Sequence, residues 1–165
     1  MEKKFTLGII GAGNMASAIL GGVLKGGLLK ADKIIISDKD DEKLAVMAQN
    51  GVVVTNDNKE VATNAEYVMF AVKPQIAPIV FEEISEVISA STVISIMAGI
   101  SIAKLKSALG ERNYARIMPN APALVGEGMS AVAFSEGYRS RFVTDIFGSV
   151  GKVVELDEKL FDAVT

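Results

Sequence analysis

Short apolar segments alternate with stretches of helical periodicity along most of the chain, and this alternation predicts a sheet covered by helices. Some of these segments, such as residues 67–72 and 93–97, are almost continuously apolar, as is typical of parallel strands buried on both faces. The expected fold class is therefore α/β, with a doubly wound, mainly parallel sheet and helices on both faces. The expected strands are residues 5–10, 33–37, 51–54, 66–72, 92–97, 114–118, 129–135 and 151–155.

Small and polar residues mark where the helices between these strands begin and end. Asp40 and Ser101 precede two of them as N-caps, and Gly26-Gly27 ends the first. A further helix is expected over residues 138–148, between the last two strands. The apolar residues that define the other helical faces are Met15, Ile19, Leu20, Val23 and Leu24; Leu44, Met47 and Ala48; and Ile76, Val80, Ile84, Val87 and Ile88.

The first strand runs into the motif Gly11-x-Gly13-x-x-Ala16. Gly11 permits a tight turn, Gly13 lets the backbone approach a ligand closely, and Ala16 is small enough for the helix to pack on the strand. The N-terminus of that helix presents free N–H groups to an anion. With the second strand, the motif closes a βαβ unit of about 30 residues. This arrangement predicts a Rossmann-type site for a dinucleotide pyrophosphate, and a purely structural tight turn is the alternative.

Ser37, Asp38 and Lys39 close the second strand at the place where the adenosine ribose is expected. Asp38 alone would accept hydrogen bonds from a free ribose diol and favour NAD. If Asp38 turns away, Lys39 and the Ser37 hydroxyl could hold a 2′-phosphate and favour NADP. The sequence leaves this choice open, and Lys39 can equally belong to a solvated loop.

Residues after the later strands are further candidates, because ligands of an open α/β sheet bind at the carboxyl ends of the strands. These residues are Ala71-Val72-Lys73-Pro74, Met97-Ala98-Gly99 and the loop Met118–Pro122, which contains Asn120. The Lys73 ammonium and the Asn120 amide are candidates for orienting cofactor or substrate. Each segment also has a structural interpretation: an exposed lysine, an ordinary turn and a stiff proline loop.

Composition narrows the function classes. The formal net charge is -3 and no Lys/Arg run is sustained, which argues against a nucleic-acid partner. No apolar segment reaches the roughly 18–20 residues of a membrane span, and the N-terminus lacks a signal-peptide pattern, so we expect a cytoplasmic protein without a membrane partner. The chain has no cysteine and no histidine. Thiolate chemistry is thereby excluded, the commonest general acid near neutral pH is absent, and no metal site is expected.

Residues 157–165 begin like a capped amphipathic helix but carry no signal that would end it. We therefore expect the natural protein to continue beyond Thr165, and a frayed terminal helix is the alternative.

Taken together, these segments resemble the N-terminal domain of pyrroline-5-carboxylate reductases over essentially the whole chain. Their order and spacing match as well as their residues. The segments that carry the resemblance are Gly8–Ala16, Phe70–Pro74, Ile96–Ile100, Arg116–Val125 and Glu127-Gly128.

The resemblance implies NADPH as the usual reductant, with NADH accepted, and hydride transfer to the C=N bond of 1-pyrroline-5-carboxylate to give L-proline. A cyclic imine can be reduced as its protonated iminium, which is compatible with a chain that lacks histidine. Family members usually have Thr where this chain has Ala121 and a small residue where it has Met97. The loop Met118–Pro122 would lie near nicotinamide and substrate. The residues implied to contact the cofactor are Gly11, Ala12, Gly13, Asn14, Met15, Asn58, Ala71, Val72, Lys73, Pro74, Met97, Ala98 and Gly99.

The resemblance also implies a division into domains. Residues 1–156 would form the NAD(P)-binding Rossmann domain, and 157–165 would begin a helix leading to a C-terminal helical domain that is absent from this chain. That domain would form a homo-oligomer and supply most contacts to the carboxylate of the small-molecule substrate. Two alternatives stay open. One is another NADP-dependent oxidoreductase of the 6-phosphogluconate dehydrogenase-like group, such as a hydroxyacid, prephenate or deazaflavin-linked enzyme, and the other is a non-catalytic nucleotide-binding module.

Overall fold

One eight-stranded sheet organises the molecule. The computed structural model describes residues 3–120 and 128–163. Within these ranges no helix is long and apolar enough to cross a membrane. The strands are β1 (Phe5–Ile10), β2 (Ile34–Ser37), β3 (Val53–Thr55), β4 (Ala65–Phe70), β5 (Thr92–Ser95), β6 (Asn113–Pro119), β7 (Gly128–Phe134) and β8 (Gly151–Glu155). The α-helices are α1 (Asn14–Lys25), α2 (Asp41–Ala48), α3 (Asn58–Asn64), α4 (Ala77–Ile84), α5 (Ile102–Leu109) and α6 (Arg141–Gly148).

The strand order is β3-β2-β1-β4-β5-β6-β7-β8. All neighbouring strands are parallel except β6 and β7, which form an antiparallel pair. Strands β2 and β3 lie on one side of β1, and the chain then crosses over so that β4 and the later strands lie on the other side. The predicted doubly wound, mainly parallel α/β fold is confirmed, and its carboxyl ends from β3 to β6 share one edge.

Alternate residues of each strand enter two separate cores. Val68 and Phe70 of β4 pack beneath α3, α4 and α5, while Met69 between them packs on the opposite face with α1, α2 and α6. All three side chains are fully buried. Burial on both faces explains why the central strands are almost continuously apolar.

Helix ends follow the sequence signals closely. The side chain of Asp40 accepts hydrogen bonds from two backbone N–H groups of α2, and Ser101 accepts one from α5. Gly26 is the C-cap of α1, and Gly27 follows with a φ of 72°, a conformation that favours glycine. These predicted helix boundaries are confirmed.

Some elements differ from the prediction. Helix α3 was not expected, because its seven residues bury only two apolar side chains, Val61 and Ala62. The expected helix over 138–148 begins later, at Arg141, behind the Ser140 cap. Ile76 is 43% exposed, so the helical spacing that assigned it to the core was misleading there.

The segment Glu158–Ala163 forms a 3-10 helix rather than the expected start of an α-helix. Its Phe161 side chain is fully buried and lies 5.0 Å from the Arg116 guanidinium. A Glu158 carboxylate oxygen lies 2.9 Å from the same guanidinium and accepts the Ile102 N–H at the start of α5. These contacts attach the segment to β6 and α5.

Gly8 in β1 provides a test of the packing between strand and helix. A Cβ at Gly8 would lie 2.5 Å from Cγ1 of Val61 and 2.8 Å from Cβ of Ala65. We expect Gly8→Ala to lower the free energy of unfolding by about 1–3 kcal/mol, measured by urea denaturation, because neither neighbour is a flexible chain end. Gly21→Ala is the matched control, since a Cβ there meets no atom within 4 Å. It should be stabilising by about 0.5–1 kcal/mol in the α1 interior, and equal midpoints for the two variants would contradict this packing.

Candidate active site

The site lies where the chain reverses its direction of sheet building, between the carboxyl ends of β1 and β4. This topological switch point is where ligands of open α/β sheets bind. Ile10, the last residue of β1, is in register with Ser37 of β2 and Phe70 of β4. The three loops that follow therefore start at the same level and face one cleft.

The cleft has a volume of about 510 Å³, within the range of small-molecule and cofactor sites. Ten of the residues predicted from the sequence line it: Gly11, Ala12, Gly13, Ser37, Asp38, Lys39, Asn58, Ala71, Val72 and Lys73. The sequence reasoning missed six others as site residues: Ile10, Lys43, Ile76, Ile79, Val80 and Glu83.

The two glycines of the turn have different roles. Gly11 has a φ of +110°, and its N–H donates to the Ser37 carbonyl oxygen at 2.8 Å. A Cβ at Gly11 would lie 2.5 Å from the Ala71 carbonyl oxygen, so the fold itself requires glycine there. Gly13 has a φ of -79°, and a Cβ on it would meet no atom within 4 Å. The space beside Gly13 is therefore open, which suits a ligand rather than the packing of the protein.

Helix α1 begins at this open space without a capping side chain, because its N-cap is Gly13. Elsewhere in the described structure, α2, α3, α5 and α6 each begin with a side chain that accepts a backbone N–H; the capping residues are Asp40, Asp57, Ser101 and Ser140. The first N–H groups of a helix have no partner within the helix. Those of α1 are therefore left to an anion in the cleft.

Asp38 turns back toward the glycine turn. Its Oδ2 accepts the Ala12 N–H at 2.8 Å, and its Oδ1 accepts the Asp40 N–H at 2.8 Å. These bonds fix the carboxylate at the end of β2. Each oxygen retains acceptor capacity, so the group can still accept hydrogen bonds from ribose hydroxyls.

A chain of hydrogen bonds crosses the cleft from β2 to α4. The fully buried Ser37 hydroxyl donates to Asn58 Oδ1 at 2.7 Å, and Asn58 Nδ2 donates to Glu83 Oε1 at 2.7 Å. The other Glu83 oxygen lies 3.6 Å from Lys39 Nζ. In this arrangement the Ser37 proton points to Asn58 and not to the cleft, where the sequence had suggested a donor to a 2′-phosphate.

One wall of the cleft is apolar. Ile76, Ile79 and Val80 come from the start of α4 and the turn before it, and Ile79 is 68% exposed. The helical spacing of Ile76 and Val80 suggested core residues, and Ile79 lay outside that pattern, so periodicity did not identify this cleft wall. An exposed apolar side chain of this size beside a switch point suits a flat heterocycle.

Lys73 lines the cleft from the loop after β4, three residues before Ile76. Its side chain is exposed, and among the described residues its ammonium group forms no ion pair. It is therefore available to an anionic ligand, as the sequence suggested.

Two other predicted segments lie further along the edge, after β5 and β6, and do not line this cleft. Met97 is buried in the core beneath α4 and α5, whereas Ala98 and Gly99 are exposed. Asn120 is exposed, and its Oδ1 accepts the Met129 N–H at 3.0 Å, which joins β6 to β7. Residues 121–127, including Ala121 and Pro122, lie outside the described ranges. Asn14, Met15 and Pro74 are not part of the cleft lining.

Burial raises the pKa of Tyr67 and of Tyr114, which lie near the amino ends of β4 and β6, away from the cleft. Within residues 3–120 and 128–163, no group of acidic, histidine or cysteine side chains could hold a metal ion.

The chain is similar to known proteins along its whole length. A family model described as NADP oxidoreductase, coenzyme F420-dependent, matches residues 6–99, more than half of the chain. A pyrroline-5-carboxylate reductase of Haemophilus influenzae is 42% identical and covers 100% of this chain, which in turn spans 62% of that protein. The chain therefore spans about three-fifths of the length of the curated relatives that it matches.

Two solved structures show the same fold. A pyrroline-5-carboxylate reductase from Coxiella burnetii superposes with a TM-score of 0.90 at 28% identity, covering 98% of this chain and 62% of that one. A pyrroline carboxylate reductase from Plasmodium falciparum, solved with NADP bound, superposes with a TM-score of 0.81 at 30% identity, covering 98% of this chain and 61% of that one.

The structural role of Gly11 and the ligand-binding role expected of Gly13 can be distinguished experimentally. Gly13→Val should leave the free energy of unfolding within about 1 kcal/mol, because its side chain enters open space, yet weaken NADPH binding at least about tenfold. Gly11→Ala should instead lower the free energy of unfolding by at least about 2 kcal/mol, through its positive φ and its contact with Ala71. Urea denaturation and fluorescence titration with NADPH measure the two effects. Normal NADPH affinity of a folded Gly13→Val protein would exclude a pyrophosphate at this turn.

Proposed function

This chain belongs to the family described as NADP oxidoreductase, coenzyme F420-dependent, and from that premise we propose that it is the cofactor-binding part of a pyrroline-5-carboxylate reductase. The proposed reaction reduces the C=N bond of 1-pyrroline-5-carboxylate to give L-proline, with NADPH as reductant and NADH accepted. One observation carries the proposal. The chain has an open cleft at the switch point, and its whole length aligns with proteins named pyrroline-5-carboxylate reductase.

The cleft residues fit a dinucleotide. The pyrophosphate suits the open space at Gly13, where the uncapped N–H groups of α1 meet it. Asp38, held by two backbone N–H groups, suits the adenosine ribose. The exposed Ile79 suits one face of the adenine. Lys73 suits the phosphates or the nicotinamide ribose from the β4 side.

When bound, the reduced nicotinamide supplies a hydride to the imine carbon. The chain contains no histidine to donate a proton. Its own contribution is therefore to orient the cofactor and the substrate and to exclude water from them. A protonated cyclic iminium needs no further proton during the reduction. Asn120 is a candidate for orienting the substrate. Its Oδ1 accepts the Met129 N–H, which fixes the orientation of the side-chain amide, and its two Nδ2 protons are donors that a substrate could use.

The remaining parts of the proposal concern the whole protein. Because the matching relatives are longer than this chain, we propose that a further domain supplies the substrate carboxylate contacts and joins protomers into a homo-oligomer. Residues 157–165 would lead toward that domain, and Glu158 and Phe161 within them contact Arg116 of β6. We also place the protein in the cytoplasm.

The decisive experiment is a turnover assay on the full-length gene product that carries this chain. Oxidation of NADPH and NADH should depend on 1-pyrroline-5-carboxylate and yield proline. Gly13→Val should lower kcat/KM for the nucleotide at least about tenfold, because its side chain occupies the pyrophosphate space.

Two outcomes would contradict the proposal. Reduction of coenzyme F420 by NADPH without activity on the pyrroline would favour a deazaflavin-linked enzyme instead. Tight nucleotide binding without turnover on either substrate would favour a non-catalytic nucleotide-binding module.

A further inference from the structure

The adenosine end of the cleft, defined here as Asp38, Lys39, Lys43, Asn58 and Glu83, is electrically balanced. Lys39 and Lys43 line it on the β2 side, and the carboxylates of Asp38 and Glu83 offset their two positive charges. A site built to select a 2′-phosphate, which carries about -1.5 to -2 charges, would be expected to hold excess positive charge. The presence of Glu83 on the facing wall therefore calls for a functional explanation.

The contacts of Glu83 settle the direction of the hydrogen bonds across this end. An ionised carboxylate can only accept, so the Asn58 atom 2.7 Å from it is the amide nitrogen. The Asn58 oxygen is thereby turned to Ser37, whose hydroxyl must donate. Glu83 thus takes one of the two Asn58 amide protons and directs the Ser37 hydroxyl proton to Asn58, so Ser37 is not left as a donor to a phosphate.

Glu83 also pairs with Lys39, the residue that directly follows Asp38. Lys39 Nζ lies 3.6 Å from Glu83 Oε2 and donates to the Asn56 carbonyl oxygen at 3.1 Å. The Lys39 side chain is 69% exposed and that of Glu83 is 30% exposed, so the pair is weak and can be broken by a competing anion. A 2′-phosphate that recruits Lys39 must take it from Glu83.

We propose that Glu83 is a specificity-determining residue that reduces the preference of this cleft for NADPH over NADH. It does so by competing with the 2′-phosphate for Lys39 and by repelling that phosphate across the cleft. A ribose 2′-hydroxyl of NADH meets neither penalty, because it is uncharged and can donate to Asp38. The inference rests on the proposed function only in that the cleft binds a nicotinamide dinucleotide.

The test is the ratio of NADPH to NADH dissociation constants, measured by fluorescence titration on the full-length protein. Glu83→Gln keeps an acceptor for Asn58 and removes the charge. It should tighten NADPH binding about fivefold and leave NADH binding within about twofold. The gain should shrink as NaCl is raised, because the effect is electrostatic. Glu82→Gln is the matched control: it removes the same charge from the neighbouring, exposed position, which does not line the cleft, and should change neither constant.

A double-mutant cycle tests whether Glu83 acts on NADPH binding through Lys39. In a Lys39→Gln background, Glu83→Gln should change NADPH binding clearly less than it does alone, because the competition for Lys39 is gone. Equal changes for both nucleotides would overturn the inference and make Glu83 a structural support of Asn58. An unchanged NADPH constant in Glu83→Gln would also overturn it. Failure of the proposed function alone is distinguishable, because the unaltered protein would then bind both nucleotides without reducing the pyrroline. An unaltered protein that binds neither nucleotide would overturn both the proposed function and this inference.

Discussion

The structure depends on the close backbone contact among three strands at the end of β1. Gly11 donates its N–H to Ser37, and Ala71 donates its N–H to Ile10, so the hydrogen-bonded ladder continues past the formal ends of the strands. Only a residue without Cβ can occupy position 11, because the Ala71 carbonyl oxygen lies where that atom would be. This contact brings the loops after β1, β2 and β4 together, and these three loops line the cleft.

Around that contact, the cleft combines backbone N–H groups that have no capping side chain with a carboxylate that the fold holds in place. Helices α2, α3, α5 and α6 use side chains to satisfy first-turn N–H groups, whereas α1, like α4, has no capping side chain, and α1 begins on Gly13 beside open space. Asp38 is held by two backbone N–H groups, so its carboxylate is already fixed at the end of β2. Such preorganisation means that little conformational entropy is lost when a ligand binds.

Sequence reasoning succeeded where a residue's role follows from its neighbours in the chain. The glycine turn, the caps Asp40 and Ser101 and the buried strands could be predicted, because turns, caps and apolar runs are local properties. It failed for α3, which is short, and for Ile76, whose helical spacing is the same whether it faces a core or a cleft. Glu83 gave no signal at all, because it lies 25 residues from Asn58, its partner across the cleft.

The sequence by itself determined the fold class, the position of the glycine turn and most of the residues that line the cleft. These follow from periodicity and from the absence of side chains at Gly11 and Gly13. Only the tertiary structure decided how the adenosine end is charged. Whether the Ser37 hydroxyl faces a ligand or Asn58, and whether Lys39 is paired, depends on α4 lying across the cleft from β2. The physical reason is that hydrogen bonds and ion pairs are set by distances in space, which the order of residues along the chain does not contain.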